Sequence, residues 1–120
     1  MKNPPKEYFL VFPVSPSWNL LYRRKKGGYG MFMTKEGHDY KETIKKICLA
    51  DGCKPFDGDV FVHLRWYRKD KRGDLDNREK ILYDALQGFC YHKDSQIAHK
   101  DVARIDGDPN PRFVIRIARM

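Results

Sequence analysis

Long apolar runs are missing from this 120-residue sequence. A membrane-spanning helix needs about 18 or more consecutive apolar residues, and no stretch of the chain provides them. The opening residues, MKNPPKEYFLVFPV, also lack an apolar segment of adequate length and a small-residue cleavage site, so no signal peptide is expected. We therefore expect a cytoplasmic protein without membrane association.

Cysteine is scarce, since Cys48, Cys53 and Cys90 are the only three. An odd number in a chain with no expected secretion signal fits a reducing compartment with free, mostly buried thiols. Together with His92 the cysteines could supply four zinc ligands, but neither spacing forms the close cysteine pair that is usual in zinc sites. The spacing therefore favours thiols packed in the core over a zinc site.

Common catalytic signatures are also absent. The sequence contains no GxSxG, HExxH, Walker or GxGxxG motif, which excludes the usual hydrolases, proteases and nucleotide-binding proteins, so no nucleotide cofactor is expected. A calcium loop starting at Asp74 is excluded too. Its central glycine is missing, and Ala85 stands where the bidentate glutamate should be.

Positive charge, in contrast, is abundant. The chain has 24 Lys and Arg against 16 Asp and Glu, a formal net charge of +8. Such an excess indicates a polyanionic partner, nucleic acid before an anionic membrane surface, and the basic stretches lack the large apolar helix face that membrane binding needs. With 41% hydrophobic residues the chain can build one modest core, so we expect a single domain over residues 1–120.

The first half of the chain predicts a strand, a helix and a second strand. Residues 7–13 read as a strand that Pro13 ends. Thr34 is a suitable N-cap for a helix over about 35–50, which has one apolar stripe and which Gly52 stops. VFVHLRWY, residues 60–67, alternates between apolar and mixed positions and predicts a half-buried strand.

The second half predicts one more helix and two closing strands. The helix begins at Asp76, which forms a capping box with Glu79. Strands over 96–105 and 112–118 are joined by a DGDPNP turn, which predicts a hairpin. The buried side of the helix consists of Ile81, Leu82, Ala85, Leu86 and Phe89. The order β-α-β-α-β-β predicts a mixed α+β, or α/β, fold with two main helices against a small sheet.

The run RKDKRGDLDNREK, residues 68–80, combines dense positive charge with two aspartates. In an extended segment Asp74 and Asp76 point the same way, and two adjacent hard oxygen ligands suit Mg²⁺ or Mn²⁺. Lys80 lies one helical turn after Asp76 and can stabilise charge on a phosphate under attack. Asp94, in YHKDSQ, is a third carboxylate if the following strand brings it back to the site. The alternative, in which Asp76 only caps the helix, stays open.

Two basic clusters accompany these carboxylates. One lies in a long polar loop over residues 15–33, and the other immediately precedes Asp74. Positive side chains that flank acidic residues are typical of phosphate contacts, which position a DNA backbone without reading its sequence. Solvated loop charge is the alternative. The predicted DNA contacts are Arg23, Arg24, Lys25, Lys26, Arg68, Lys69, Lys71 and Arg72.

The run GDLDNREKILYDAL followed by YHKDSQI resembles the signature of the RusA-type Holliday junction resolvases, a family of small phage and bacterial endodeoxyribonucleases. PVSPSWNLLYR is similar to the family's N-terminal segment, and TKEGHDYKETI to the start of its first helix. The likeness covers most of the chain. The sequence departs from the enterobacterial type at Asp70 and Gly73, which interrupt an arginine run, and at Lys93, which replaces a second acid.

The resemblance implies a homodimer with a RusA-like fold whose two sites cut opposing strands of a four-way DNA junction, with Mg²⁺ or Mn²⁺ as cofactor. It implies that Asp74, Asp76 and Asp94 bind the metal and that Lys80 is the catalytic lysine. It also implies a bacterial or phage-encoded enzyme of DNA recombination and repair. Two alternatives remain, a non-catalytic nucleic-acid-binding module and a nuclease with broader specificity for flaps or forks.

Overall fold

The computed structural model describes residues 6–16, 22–24, 30–69 and 75–120, with the backbone only at 22–24, 31 and 75–77. Within these residues the elements are β1 Glu7–Phe12, β2 Tyr22–Arg24, β3 Met31–Met33, α1 Lys35–Ala50, β4 Val60–Arg68, α2 Leu75–Ala85, a 3₁₀ turn Asp94–Gln96, β5 Ile97–Asp106 and β6 Arg112–Arg119. Neither helix in this part of the chain is long and apolar enough to cross a membrane.

Four of the strands form one mixed sheet in the order β1-β6-β4-β5. β4 pairs in parallel with β5 and antiparallel with β6, which in turn pairs antiparallel with β1. Parallel neighbours need a crossover connection, and α2 supplies it between β4 and β5. A mixed sheet with two helices confirms the predicted fold class.

The helices cover one face of this sheet. On β4, Val62 and Leu64 point to the helix side and are fully buried, whereas Phe61 and His63 on the other face are only partly buried. The predicted alternation of this strand is therefore confirmed, and it explains why β4 lies inside the sheet rather than at its edge.

The predicted hairpin between the last two strands is wrong. β5 and β6 do not pair, because β4 lies between them. Residues 107–111 pass over the end of β4, where the Asp108 N–H donates to the Arg68 carbonyl at 3.0 Å. A turn-forming segment predicts a short connection, but it does not determine whether the joined strands are neighbours.

The long loop predicted over residues 15–33 contains a short hairpin, since β2 pairs antiparallel with β3. Each of these strands has three residues, too few for an alternating pattern to stand out in the sequence. Gly30, directly before β3, has a φ of 75°, which glycine adopts at no steric cost.

Helix α1 has the predicted bounds. The Thr34 side chain accepts a hydrogen bond from the Gly37 N–H at 3.3 Å, which confirms the cap. Gly52 follows the helix with a φ of 73°, the left-handed conformation expected of a terminating glycine. The buried stripe consists of Gly37, Tyr40, Ile44 and Cys48.

Helix α2 differs from its prediction at the start. It begins at Leu75, so Asp76 lies inside the first turn and is not the N-cap. Glu79 forms no capping box, because its carboxylate turns to the sheet and accepts a hydrogen bond from Lys100 Nζ of β5. The predicted buried side is confirmed at Ile81, Leu82, Ala85 and Leu86, with Phe89 partly buried.

The three free cysteines come together at one end of the core. Cys48 and Cys90 are buried and Cys53 is partly buried, as the prediction of mostly buried free thiols requires. Hydrogen bonding from Cys48, and then from Cys90, lowers the pKa of the Cys53 thiol to about 4. The hydrogen bond to Cys53 raises the pKa of Cys48 to about 12.

Candidate active site

The acidic motif lies where β4 passes into α2. β4 ends at Arg68 and α2 begins at Leu75, so the motif follows the carboxyl end of an interior strand. Asp76 is the second residue of α2, and the exposed Lys80 lies one turn further along the helix. Asp74 falls outside the described residues, as do Lys71 and Arg72.

The segment that follows β1 holds this part of α2. The Ser15 hydroxyl donates to the Arg78 carbonyl at 3.1 Å, and the Arg78 guanidinium donates back to the Ser15 carbonyl. Burial lowers the pKa of Arg78. The segment after β1 is held against α1 as well, because the Tyr40 hydroxyl donates to the Pro13 carbonyl at 2.9 Å. The chain therefore leaves towards β2 from a position beside the first turns of α2.

Asp94 opens the 3₁₀ turn that precedes β5, and its carboxylate is exposed. Its backbone N–H donates to Gln87 Oε1 at 2.9 Å. The side chain borders a cleft of about 330 Å³, whose other walls come from Tyr83, Ile97, Ala98, His99 and Lys100. Acidic, basic and aromatic groups thus meet around one opening.

Tyr83 is the most buried polar group of this cleft. Its hydroxyl has no hydrogen-bond partner among the described residues, and burial, followed by the charge of Glu79, raises its pKa. The Lys100 ammonium lies 5.6 Å from the centre of the Tyr83 ring. The tyrosine therefore remains neutral at physiological pH, with Lys100 above its ring face.

Asp76 and Asp94 belong to opposite ends of the connection between β4 and β5, since Asp76 stands in the first turn of α2 and Asp94 follows the helix. Asp94 lies at the level of Tyr83 and Gln87, which follow Asp76 by 7 and 11 residues. Tyr83 lies about 10 Å after Asp76 along the helix axis, and Gln87 lies beyond Ala85, the last residue of the helix. β5 then runs parallel to β4, so it carries the chain away from Asp94 rather than returning Asp94 to the motif.

The basic residues divide into different environments. Arg68 was expected to contact DNA, but its side chain is 3% exposed and forms an ion pair with Asp106. Its guanidinium also lies 5.1 Å from the ring centre of Trp66, so we remove Arg68 from the predicted DNA contacts. The physical reason is strand alternation, which points Arg68 to the helix side with Trp66.

The remaining predicted DNA contacts belong only in part to the residues that the structure describes. Lys69 is exposed directly after β4. Arg23 and Arg24 belong to β2, where only the backbone is described. Lys25 and Lys26 fall outside the described residues. The contacts with DNA at these positions therefore stay predictions.

A protein-family model decides which family this is. The family described as Endodeoxyribonuclease RusA matches residues 12–118, nearly the whole chain. The chain belongs to this family. The match contains β4, α2 and the 3₁₀ turn, so all the predicted metal-site positions lie inside it. A search of curated proteins found no match.

Membership of the RusA family confirms the resemblance seen in the sequence. It implies a nuclease of the Holliday junction resolvase kind, with branched DNA as its partner. In this RusA-family chain, the cleft at Asp94 and the start of α2 are the two candidate regions for catalysis.

Two charged residues near the RusA motif were not singled out in the sequence. Glu79 was interpreted only as part of a cap, and Lys100 was not considered, yet they form an ion pair between α2 and β5. One signal was available: alternation along β5 places Lys100 on the same face as Val102, which packs against the core. A basic residue at an inward position indicates an acidic partner across the interface.

Proposed function

We propose that this RusA-family chain is a divalent-metal-dependent endodeoxyribonuclease that resolves four-way DNA junctions by paired, symmetrical nicks during recombination and repair. The observation that carries the proposal is the placement of Asp76 and Lys80 one turn apart at the start of α2. This start follows a basic segment at the carboxyl end of β4. A scissile phosphate, a metal ion and the Lys80 ammonium can come together at the start of α2.

The available donors fit Mg²⁺ or Mn²⁺. Both ions take carboxylate and water oxygens, and the proposed ligands Asp74, Asp76 and Asp94 are all carboxylates. Asp94 is exposed beside an open cleft, so its oxygens are accessible to an ion and to a phosphate. When bound, the metal would supply a Lewis acid for the phosphate and a lowered pKa for a coordinated water.

The chain's own contribution to hydrolysis comes from positioning and charge. Lys80 is exposed and forms no ion pair with the described side chains, and in the proposed site its ammonium contacts the substrate. Opposite the attacking water, it would counter the negative charge that builds on the phosphate in an in-line displacement. The expected products carry 5′-phosphate and 3′-hydroxyl ends that a ligase can seal.

A homodimer is part of the proposal because Asp76 and Asp94 stand at opposite ends of the α2 segment. Asp94 borders the cleft at Tyr83, two helical turns after Asp76, whereas metal–oxygen bonds are about 2 Å long. In the proposed dimer, one site takes Asp76 from one chain and Asp94 from a second. Two such sites related by a two-fold axis also match the symmetry of paired cuts.

The open face of the sheet supports association of two chains. Among the described residues neither helix covers this face, and on β1 it presents Phe9, which is 65% exposed, and Val11, which is 49% exposed. Ile105 of β5 is also an exposed apolar residue on the same face. Phe9 and Val11 on β1 and Ile105 on β5 stand at opposite edges of the sheet, and exposed apolar side chains such as these favour contact with another protein surface.

The test is a cleavage assay with the full chain on a labelled four-way junction, with a linear duplex and a flap as comparison substrates. Mg²⁺ is compared with EDTA, and wild type with Asp76→Asn. The matched control is Asp39→Asn, an exposed aspartate on α1 far along the chain from the motif. We expect paired nicks in the junction that need Mg²⁺ and Asp76 but not Asp39.

The other outcomes identify the alternatives. Salt-dependent junction binding without nicks, unchanged by Asp76→Asn, would show a binding module with a structural aspartate. Equal cleavage of flaps and junctions would show a nuclease of broader specificity. In a true metal site, Asp76→Asn should abolish cutting while DNA affinity is kept or increased, because a carboxylate that repels phosphate has been removed.

A further inference from the structure

The three cysteines form a compact cluster that the proposed nuclease chemistry does not use. The Sγ atoms of Cys48, Cys53 and Cys90 all lie within 4.8 Å of one another. Cys48 comes from the last turn of α1, Cys53 from the loop after it, and Cys90 from the connection between α2 and the 3₁₀ turn. The sequence separations do not reveal this convergence, because 36 residues lie between Cys53 and Cys90.

Backbone hydrogen bonds fix each of the three positions. The Cys53 N–H donates to the Cys48 carbonyl at 3.0 Å, and the Cys90 N–H donates to the Leu86 carbonyl at 3.1 Å. The Cys90 carbonyl in turn accepts from the Phe56 N–H at 3.0 Å. The backbone of the fold therefore places the three sulfur atoms close together.

The residues around the cluster favour a soft metal ion over a hard one. Cys48 and Cys90 have no exposed surface and belong to the apolar core, and only Cys53 reaches towards solvent. No described histidine or carboxylate joins the cluster. In particular, His92 is directed to Asp57, with 2.9 Å between Nε2 and Oδ1. Three sulfur donors without oxygen ligands suit thiophilic cations and not Mg²⁺.

We propose that Cys48, Cys53 and Cys90 form a structural binding site for one thiophilic d¹⁰ cation, Zn²⁺ or Cu⁺. Three thiolates complete a trigonal Cu⁺ site, and for Zn²⁺ a water on the partly exposed Cys53 side supplies the fourth ligand. Binding releases the thiol protons of Cys48 and Cys90 to solvent as these sulfurs become thiolate ligands. The ion would fasten the end of α1 to the segment that follows α2.

The first experiment is a titration of the full, reduced chain with Cd²⁺, which reports thiolate ligation by an ultraviolet sulfur-to-metal charge-transfer band. We expect the charge-transfer band to saturate at one Cd²⁺ per chain. Competition with Zn²⁺ and with Cu⁺ then shows which of these two ions the site binds more tightly. Cd²⁺ at carboxylates gives no such band, so the proposed Mg²⁺ ligands do not interfere. Saturation without a band, or no saturation, would overturn the proposal.

Variants identify the ligands. Cys53→Ser should weaken binding more than about 100-fold, because loss of a direct ligand exceeds the effect of losing its supporting hydrogen bonds. His92→Ala is the matched control next to the cluster and should bind like wild type. Equal binding by wild type and Cys53→Ser would refute the three-thiolate site. Since Cys53 is only partly buried, this variant should fold, which circular dichroism checks before titration.

Unfolding gives a second readout that does not depend on the spectrum. An ion that binds only the folded chain raises the unfolding midpoint once its concentration exceeds its Kd. We expect Zn²⁺ to stabilise wild type and His92→Ala but not Cys53→Ser. Asp76→Asn should respond like wild type, so failure of the nuclease proposal and failure of this one remain distinguishable.

Discussion

Glu79 is a carboxylate that α2 turns towards the sheet, and it is only 4% exposed. It accepts a hydrogen bond from the Lys100 ammonium, which is itself half exposed. A buried carboxylate needs such a partner, because its desolvation is costly. Since Glu79 lies one turn after Asp76, this ion pair fixes the orientation of the helix that carries the proposed ligand and lysine.

Replacing Lys100 with Met should therefore destabilise the fold. Lys100→Met leaves Glu79 buried without its cation, and we expect a loss of about 1–3 kcal/mol in the free energy of unfolding, measured by urea denaturation. The matched control is Lys41→Met, which removes the partner of Asp84 in a pair that is 41% exposed on both sides. This surface pair should contribute under about 1 kcal/mol. Equal losses in the two variants would contradict the role assigned to Lys100.

At the scale of elements, local sequence patterns predicted the features that depend on contacts within a few residues. Thr34 and Gly52 set the two ends of α1 through contacts within a few residues. These residue types therefore predict where the helix begins and ends. β4 was evident because one face is apolar along its full length. These features need no knowledge of the remainder of the chain.

The features that the sequence did not predict depend on contacts between distant segments. The DGDPNP segment does connect β5 to β6. Whether β4 lies between these two strands, however, depends on pairing energies across the whole sheet. The Glu79–Lys100 pair and the cysteine cluster likewise join elements that are remote in sequence. For the candidate site, the sequence predicted the residue types and the helix that carries Asp76 and Lys80, and the participation of Asp94 stays a prediction.

For the whole molecule, buried tyrosines link stability to pH. Burial raises the pKa of Tyr40 and Tyr91 above the usual value of 10.0, and Tyr40 donates its hydroxyl proton to the Pro13 carbonyl. A raised folded-state pKa means that stability is complete below the unfolded pKa, near 10, and declines as the pH rises above it. Each such tyrosine should contribute a decline of about 1.4 kcal/mol per pH unit.

Urea denaturation at a series of pH values measures this decline. The comparison with Tyr40→Phe cancels the contributions of the thiols and of the other tyrosines, so the variant should lose stability less steeply above about pH 10. A lower stability of the variant at neutral pH, from the missing hydrogen bond, does not affect the slope. Parallel slopes for the two proteins would show that the Tyr40 hydroxyl ionises as easily in the folded chain as in the unfolded one.

The proposed dimer makes a prediction that a single-chain site does not. Asp76→Asn and Asp94→Asn homodimers should both be inactive on a four-way junction. If each site takes Asp76 from one chain and Asp94 from the other, a mixed dimer collects both substitutions in one site and leaves the second site intact. Co-refolding equal amounts of the two variants should then restore about a quarter of the wild-type sites, since half of the dimers are mixed.

The recovered activity should consist of single nicks, because each mixed dimer has one working site. The control mixture pairs Asp76→Asn with the double variant Asp76→Asn/Asp94→Asn, which leaves no intact site in any combination and should stay inactive. Recovery in the first mixture alone requires carboxylates from two chains. Absence of recovery in both, with normal dimer formation, would place each metal site within one chain and would require Asp94 to move towards Asp76 when DNA binds.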